Sequence, residues 1–210
     1  MIIDAHHHYE RSEGYIDRLL HAADKCSIDK ICLFGGGAGY EDDYADNDMV
    51  LAAAKLHPDR IIPFAYIQLG VDDSSQIDKF FNQGFKGIKF INPKKNYDDK
   101  DYYEIYSKMQ NYKLPGIFHL GIVARSPNDN KLDIHNDRHR PVYLDTIARA
   151  FPSLNLIGAH FGNPWYEEAA MVARWNPNLY FDLTGSTLKC KSPEFLADLL
   201  WWTPTSRYKD

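Results

Sequence analysis

The stretch that decides the fold runs from residue 61 to residue 91. It reads Ile61-Ile62-Pro63-Phe64-Ala65-Tyr66-Ile67, then a segment with helical spacing from about Ser74 to Gln83, then Phe85-Lys86-Gly87-Ile88-Lys89-Phe90-Ile91. Both apolar runs are nearly continuous, which is typical of strands buried on both faces of a parallel sheet. The segment between them predicts a helix that ends at Gly84. This strand–helix–strand unit predicts an α/β fold.

The same alternation extends in both directions along the chain. Further strands are predicted at residues 1–6, 30–34, 114–119, 154–160 and 179–183, with helices at about 15–27, 47–57, 101–112, 142–150, beyond 164, and 193–202. Seven such units fit either a doubly wound open sheet or a TIM-type (β/α)8 barrel. A barrel usually takes about 250 residues, and the 210 residues end where an eighth strand would begin. We therefore expect one domain, 1–210, that lacks the eighth strand at its C-terminal end.

Composition excludes several classes of protein. The formal net charge is −5, with 24 Lys and Arg against 29 Asp and Glu, which argues against nucleic acid as the main partner. The sequence has no apolar run near the roughly 20 residues of a membrane helix, and no secretory signal. The three cysteines, at 26, 32 and 190, form no CxxC motif, which favours a reducing, cytoplasmic location. We expect a small-molecule substrate and a homodimer or larger homo-oligomer.

Four of the nine histidines fall at the ends of predicted strands. His6 and His8 end the first strand and share one face, because side chains alternate along a strand. His119 ends the fifth strand and His160 the sixth. The carboxyl ends of parallel strands carry the chemistry of both candidate architectures, and neutral imidazoles are common zinc ligands. The sequence therefore predicts one shared polar site at this end.

The sequence resembles the amidohydrolase superfamily, specifically the amidohydrolase-2 group of metal-dependent TIM-barrel enzymes. The group includes aminocarboxymuconate-semialdehyde decarboxylase, resorcylate-type decarboxylases and several lactonases and hydrolases. The matching motifs occur in family order: residues 3–8 (IDAHHH), 87–90 (GIKF), 114–121 (LPGIFHLG), 154–162 (LNLIGAHFG) and 178–185 (NLYFDLTG). His-x-His alone is a weak signal, but the ordered set covers nearly the whole chain.

The resemblance implies roles for individual residues. His6, His8 and His119 match metal ligands, and His160 matches the strand-six histidine that is catalytic in the decarboxylase branch. The last ligand of the family, an aspartate after strand eight, has no counterpart: Asp182 matches a non-ligand aspartate, and Asp210 is the last residue. The sequence is then truncated, or lacks a disordered segment, or is a natural short form with a degraded site.

Substrate contacts are predicted for Lys89, Arg125, Asn163 and Trp165. Lys89 is expected near the end of strand four, and Arg125 in a polar stretch beside the mouth of strand five. Arginine binds carboxylates with two hydrogen bonds, which favours an acidic substrate. The alternative for the arginine is a solvated charged loop. Asn163 and Trp165 follow His160 at the start of a helix.

The predicted cofactor is one divalent metal ion, with zinc as the first choice from its preference for imidazole. The predicted function is hydrolysis of an amide, ester or lactone bond in a small acidic substrate. Nonoxidative decarboxylation, a lyase reaction, is the alternative, since the resemblance gives both reactions the same ligands. A metal-free lactonase of the same group and a non-catalytic binding protein with a decayed site are further alternatives.

Overall fold

The computed structural model describes residues 1–37, 40, 42–125, 129–185 and 187–200. Its strands are β1 (Ile3–His8), β2 (Lys30–Phe34), β3 (Ile61–Ile67), β4 (Gly87–Phe90), β5 (Gly116–Phe118), β6 (Leu156–Gly158) and β7 (Leu179–Phe181). Its α-helices are α1 (Tyr15–Lys25), α2 (Asn47–Leu56), α3 (Ser75–Gln83), α4 (Tyr103–Tyr112), α5 (Val142–Ala150), α6 (Tyr166–Trp175) and α7 (Pro193–Leu200). Short 3-10 helices occupy Lys100–Tyr102, Asp129–Lys131, Asn136–His139, Ala159–Gly162 and Leu188–Cys190.

The sheet has the strand order of a TIM barrel. All seven strands pair in parallel with their sequence neighbours, in the order β1 to β7. A doubly wound sheet would instead reverse its strand order part-way. The sequential order therefore confirms the barrel-type prediction. The described residues contain no eighth strand, and the predicted helix end at 201–202 lies outside them.

Helix ends follow local chemistry. The Asp46 side chain caps α2 by accepting a hydrogen bond from the backbone N–H of Met49 at 2.9 Å. Gly84 ends α3 in the left-handed region, with φ of 102°, as glycine does readily. The strand–helix–strand unit thus forms within one or two residues of its predicted bounds. The continuous runs are buried as expected: Ile67, Ile88 and Phe90 are fully buried in the main core.

Most strand bounds other than those of β2 and β3 differ from the sequence prediction by one or two residues, and the differences at β1 and β6 affect the site. β1 continues to His8, with a register shift between Asp4 and His7. His7 points away from the other two histidines: its Nδ1 lies 3.1 Å from Asp4 Oδ2 and its Nε2 lies 3.0 Å from the Tyr15 hydroxyl. β6 ends at Gly158, so that His160 belongs to the following turn and not to the strand.

Candidate active site at the carboxyl end of the sheet

Four imidazole rings meet at the carboxyl end of the strands. The ring centroids of His6 and His8 lie 5.4 Å apart, and those of His6 and His160 lie 5.1 Å apart. The centroids of His119 and His160 are separated by 4.9 Å. These residues come from β1, from the residue after β5 and from the turn after β6. The fold therefore brings together the four histidines selected from the sequence.

A buried carboxylate connects the two ends of the sheet. His6 Nδ1 donates to Asp182 Oδ2 at 2.7 Å, which brings β1 close to the residue that follows β7. Burial and, next, the nearby Lys89 together lower the pKa of His6 to about 4, against the raising effect of Asp182. Burial alone would raise the pKa of the Asp182 carboxyl. The hydrogen bonds from His6, Thr184 and the His160 backbone instead hold that pKa well below its usual range.

The backbone of His160 is fixed in an uncommon conformation. Its φ of 59° and ψ of 21° place it in the left-handed region. The His160 N–H donates to Asp182 Oδ1 at 2.8 Å, and the next N–H, of Phe161, donates to the Asp182 carbonyl at 3.0 Å. The side chain makes a further contact, in which His160 Nδ1 lies 2.7 Å from Thr184 Oγ1. The turn after β6 is therefore held to the end of β7 at three points.

Lys89 is a buried cation in the middle of the site. Its side chain is only 1% exposed, and its Nζ lies 3.5 Å from His6 Nε2 and 4.8 Å from the ring centroid of Phe34. Burial lowers the pKa of Lys89 to about 7, with Asp182 acting in the opposite direction. Among the described residues no carboxylate lies within ion-pair distance of this ammonium group. At neutral pH Lys89 is therefore partly protonated, and an anionic ligand in the cavity would favour its ammonium form.

Two ring nitrogens in the site lack a partner. His8 Nδ1 and His119 Nε2 are buried and have no hydrogen-bond partner within the part of the chain that the structure describes. Burial, followed by the charge of Lys89, lowers the pKa of both histidines well below the ordinary value. Both rings are therefore neutral at pH 7, and each has an unshared electron pair.

Behind His119, a second buried histidine fixes the adjoining loop. His139 is fully buried, and its ring centroid lies 5.5 Å from that of His119. Its Nε2 accepts from the backbone N–H of Asn92 at 3.1 Å, and its Nδ1 donates to the His135 carbonyl at 3.1 Å. Burial lowers the pKa of His139 to about 4. The loop between β5 and α5 is thereby connected to the end of β4.

A cavity of about 150 Å³ opens beside the histidines. Its lining residues are His8, Gly35, Gly36, Tyr40, Tyr44, Tyr66, Lys89, Ile91, His119, Val123, Ala124 and His160. A void of this size holds a molecule about as large as benzene. Wider surface depressions, of about 450 and 720 Å³, lie elsewhere and include none of these histidines. The small cavity is therefore where a ligand would contact the polar groups.

The family follows from a comparison of the sequence with family models. The amidohydrolase-2 model matches residues 3–205. The chain belongs to this amidohydrolase family. The resemblance carried by the strand-end motifs is thus confirmed, and the members of the family are enzymes.

Solved structures show the same fold at low sequence identity. An uncharacterized TIM-barrel protein from Bordetella bronchiseptica has a TM-score of 0.69 and 18% identity, and the match covers 87% of this chain and 74% of that one. A putative amidohydrolase from Staphylococcus aureus has a TM-score of 0.66 and 15% identity, and the match covers 95% of this chain and 83% of that one. A 5-carboxyvanillate decarboxylase from Novosphingobium aromaticivorans, with bound manganese, has a TM-score of 0.57 and 17% identity, and the match covers 90% of this chain and 72% of that one. The search of curated proteins returned no match.

Three of the residues predicted to bind substrate lie outside the lining of the cavity in this amidohydrolase. The Arg125 side chain is 96% exposed, with its Nε 3.6 Å from Asp129 Oδ2. The Asn163 side chain accepts a hydrogen bond from the Tyr166 hydroxyl at 2.7 Å. The indole of Trp165 lies 5.6 Å from the Arg140 guanidinium carbon. Lys89 alone of the four predicted residues lines the cavity, and substrate binding by all four stays a prediction.

Sequence reasoning missed the roles of Asp182 and Thr184. Both follow β7 directly, at the same sheet end as the histidines. The rule that selected the histidines, polar residues just beyond buried parallel strands, would also have selected this pair. Tyr40 and Tyr44, in the loop after β2, line the cavity without any comparable signal in the sequence.

The ring nitrogens are chemically suited to bind a divalent metal ion, but the spacing of the described side chains is not that of a metal site. Metal dependence is general in the family, and the unpartnered His8 and His119 nitrogens are of the kind that such an ion binds. Within the described ranges, however, no group of three or more His, Cys, Asp or Glu side chains is arranged to hold a metal ion.

In the same ranges no helix is long and apolar enough to cross a bilayer.

Proposed function

We propose that this amidohydrolase is a metal-dependent hydrolase that cleaves an amide, ester or lactone bond in a small acidic substrate. The observation that carries the proposal is the meeting of four imidazoles beside a cavity of about 150 Å³, which three of them and the buried Lys89 line. Family membership supports the reaction class. The cysteine content and the negative charge favour a cytoplasmic protein whose partner is a small molecule.

His6, His8 and His119 are the residues that would hold the metal ion, with zinc proposed from the imidazole donors. When bound, a divalent ion polarises a substrate carbonyl and makes a water molecule more acidic. Burial keeps the three rings neutral at pH 7, and a metal ligand must be unprotonated. Asp182 holds the His6 ring in place at Nδ1, as carboxylates do for metal-binding histidines.

His160 is proposed to move the proton. Its Nδ1 contacts Thr184, so its other ring nitrogen is left for a reacting group. Its half-buried ring lines the cavity and lies next to His119. Lys89 is proposed to bind the anionic group of the substrate, since no carboxylate of the described residues neutralises it. Arg125, Asn163 and Trp165 stay proposed substrate contacts of the surrounding loops.

Metal content and turnover test the proposal together. Native mass spectrometry after addition of zinc or manganese should show about one ion per chain, which His119→Ala loses and the exposed control His21→Ala keeps. A panel of lactones, esters and amides of small acids is then assayed beside release of carbon dioxide from the matching carboxylates. His160→Asn should lower turnover about 100- to 10,000-fold, the usual value of a general acid or base, and keep the metal.

Two outcomes would contradict the proposal. A wild-type chain that takes up neither metal would remove the metal-dependent reaction. A chain that takes up metal and releases carbon dioxide, without hydrolysing any ester, lactone or amide of the panel, would make it a decarboxylase.

A further inference from the structure

The hydroxyl of Thr184 lies between a carboxylate and an imidazole. Its Oγ1 is 2.5 Å from Asp182 Oδ1 and 2.7 Å from His160 Nδ1. A hydroxyl has one hydrogen to donate, and can accept at its lone pairs. The direction of this short chain of hydrogen bonds is therefore fixed once one of its ends is known.

The carboxylate fixes that end. Among the described residues, the Asp182 carboxylate is surrounded by groups that can donate: the backbone N–H groups of His160 and Thr184, the Thr184 hydroxyl and the ring nitrogen of His6. An ionised carboxylate only accepts hydrogen bonds. Thr184 must then donate to Asp182, because the reverse arrangement would press two oxygens together without a hydrogen between them. With its only hydrogen used, Thr184 must accept from His160.

We propose that Asp182 and Thr184 together set the tautomers of two site histidines, with the proton on Nδ1 of both His6 and His160. Asp182 acts on His6 directly, through the 2.7 Å contact to its Oδ2. It acts on His160 through the threonine hydroxyl at its Oδ1. The Nε2 electron pair of His6 then faces the Lys89 ammonium at 3.5 Å, and that of His160 is left for a group in the cavity.

The backbone prevents the His160 ring from leaving this arrangement. The left-handed turn holds His160 by its own N–H to the same Asp182 Oδ1, at 2.8 Å. Gly185, with φ of 97°, lies beside the ring, where an added Cβ would be in ordinary van der Waals contact with His160 Nδ1 at 3.4 Å. Thr184, whose hydroxyl contacts the ring nitrogen, is therefore a positioning residue.

The catalytic consequence rests on the proposed function, whereas the tautomer itself does not. A histidine that accepts a proton must present an unprotonated nitrogen to the reacting group, and the Nδ1–H form of His160 presents Nε2. Free histidine prefers the opposite tautomer. Loss of the threonine hydroxyl should therefore move the proton and reverse which nitrogen can accept.

Nitrogen-15 NMR of the imidazoles reads the tautomer directly. In the labelled full chain, the His160 signals are identified by their loss in His160→Gln. The wild type should show a pyrrole-type Nδ1 and a pyridine-type Nε2 at pH 8. Thr184→Val, which removes the hydroxyl at nearly constant shape, should shift both signals toward each other or exchange them, and Thr184→Ser should restore the wild-type pattern.

His6 supplies the internal control. Its contact with Asp182 does not pass through Thr184, so its Nδ1–H pattern should persist in Thr184→Val and show that the fold is intact. A wild-type His160 protonated at Nε2 would overturn the proposal, as would an unchanged His160 pattern in Thr184→Val. Thr184→Ala replaces the valine variant if that variant does not fold. Failure of the proposed function would appear as absent metal uptake and turnover, and would leave this readout unaffected.

Discussion

Replacing Asp182 by asparagine isolates the contact that joins β1 to the residue after β7. The amide oxygen can take the place of Oδ1 and keep the bonds from His160 N and Thr184. The amide nitrogen would then face the His6 Nδ1–H, donor against donor, at a site where the two side chains are only 4% and 11% exposed. The substitution therefore breaks one buried, charge-assisted hydrogen bond with little change in shape.

The expected loss of stability follows from that one bond. A hydrogen bond to a charged group contributes about 1.5–3 kcal/mol, and a buried donor left without a partner adds to the loss. We expect the free energy of unfolding to fall by about 2–3 kcal/mol. For a domain of this size each kcal/mol moves Tm by about 2–4 °C, so Tm should fall by about 5–10 °C.

The variant also has a pH signature. The pKa of Asp182 is lower in the folded chain than its ordinary 3.8, so its stabilisation is complete above that value and is lost as pH falls below it. Thermal unfolding followed by circular dichroism, with chelator present, should show wild type and Asp182→Asn converging from pH 4 downward. The exposed Asp59→Asn is the control and should stay within about 0.5 kcal/mol of wild type. Equal melting of Asp182→Asn and wild type at pH 7 would refute the reasoning.

Two further predictions concern buried basic side chains, His139 and Lys89. The pKa of His139 is lowered to about 4 in the folded chain, so as pH falls from about 6.5 to 4 the unfolded chain binds a proton that the folded chain does not, and the free energy of unfolding falls. In urea titrations over this range, His139→Gln should reduce the slope of the free energy of unfolding against pH by about 1.4 kcal/mol per pH unit. An unchanged slope would count against this account. Lys89→Met should raise the affinity for zinc about tenfold or more in competition with a chromophoric chelator, because the ammonium that donates to His6 Nε2 repels a cation. Lys86→Met, which changes an exposed lysine, should not alter it, and equal affinities in the two variants would refute a competing Lys89.

Much of the sheet could be predicted from the sequence because its strands are fully apolar. β2 and β3 were predicted with the bounds that the structure shows, Lys30–Phe34 and Ile61–Ile67. A run of consecutive apolar residues fits a strand whose two faces are both buried, so the ends of the run mark the ends of the strand. Alternation with helices predicted parallel strands but not their order; the family resemblance favoured a barrel, and the sequential pairing of the strands confirms it.

The site was predictable where it depends on strand ends and not where it depends on turns. His6, His8 and His119 meet because parallel strands end together. His160 was predicted as a strand residue, yet it adopts a left-handed turn whose reason, the Asp182 and Thr184 contacts, lies 22 and 24 residues away in sequence. Loop side chains such as Arg125 carried no signal for direction, and the structure places that one in solvent.

The bond between His6 and Asp182 joins residues 176 positions apart. Local opening of a protein starts with the elements that have the fewest buried contacts, and among the described residues β1 and β7 each pair with only one neighbouring strand. Fraying of either β1 or β7 therefore separates the imidazoles while the central strands stay folded. A sample can then keep its circular dichroism and compact size after its chemistry is gone. Loss of activity on gentle heating or mild denaturant should precede global unfolding, and it should be reversible for as long as β2 to β6 remain in place.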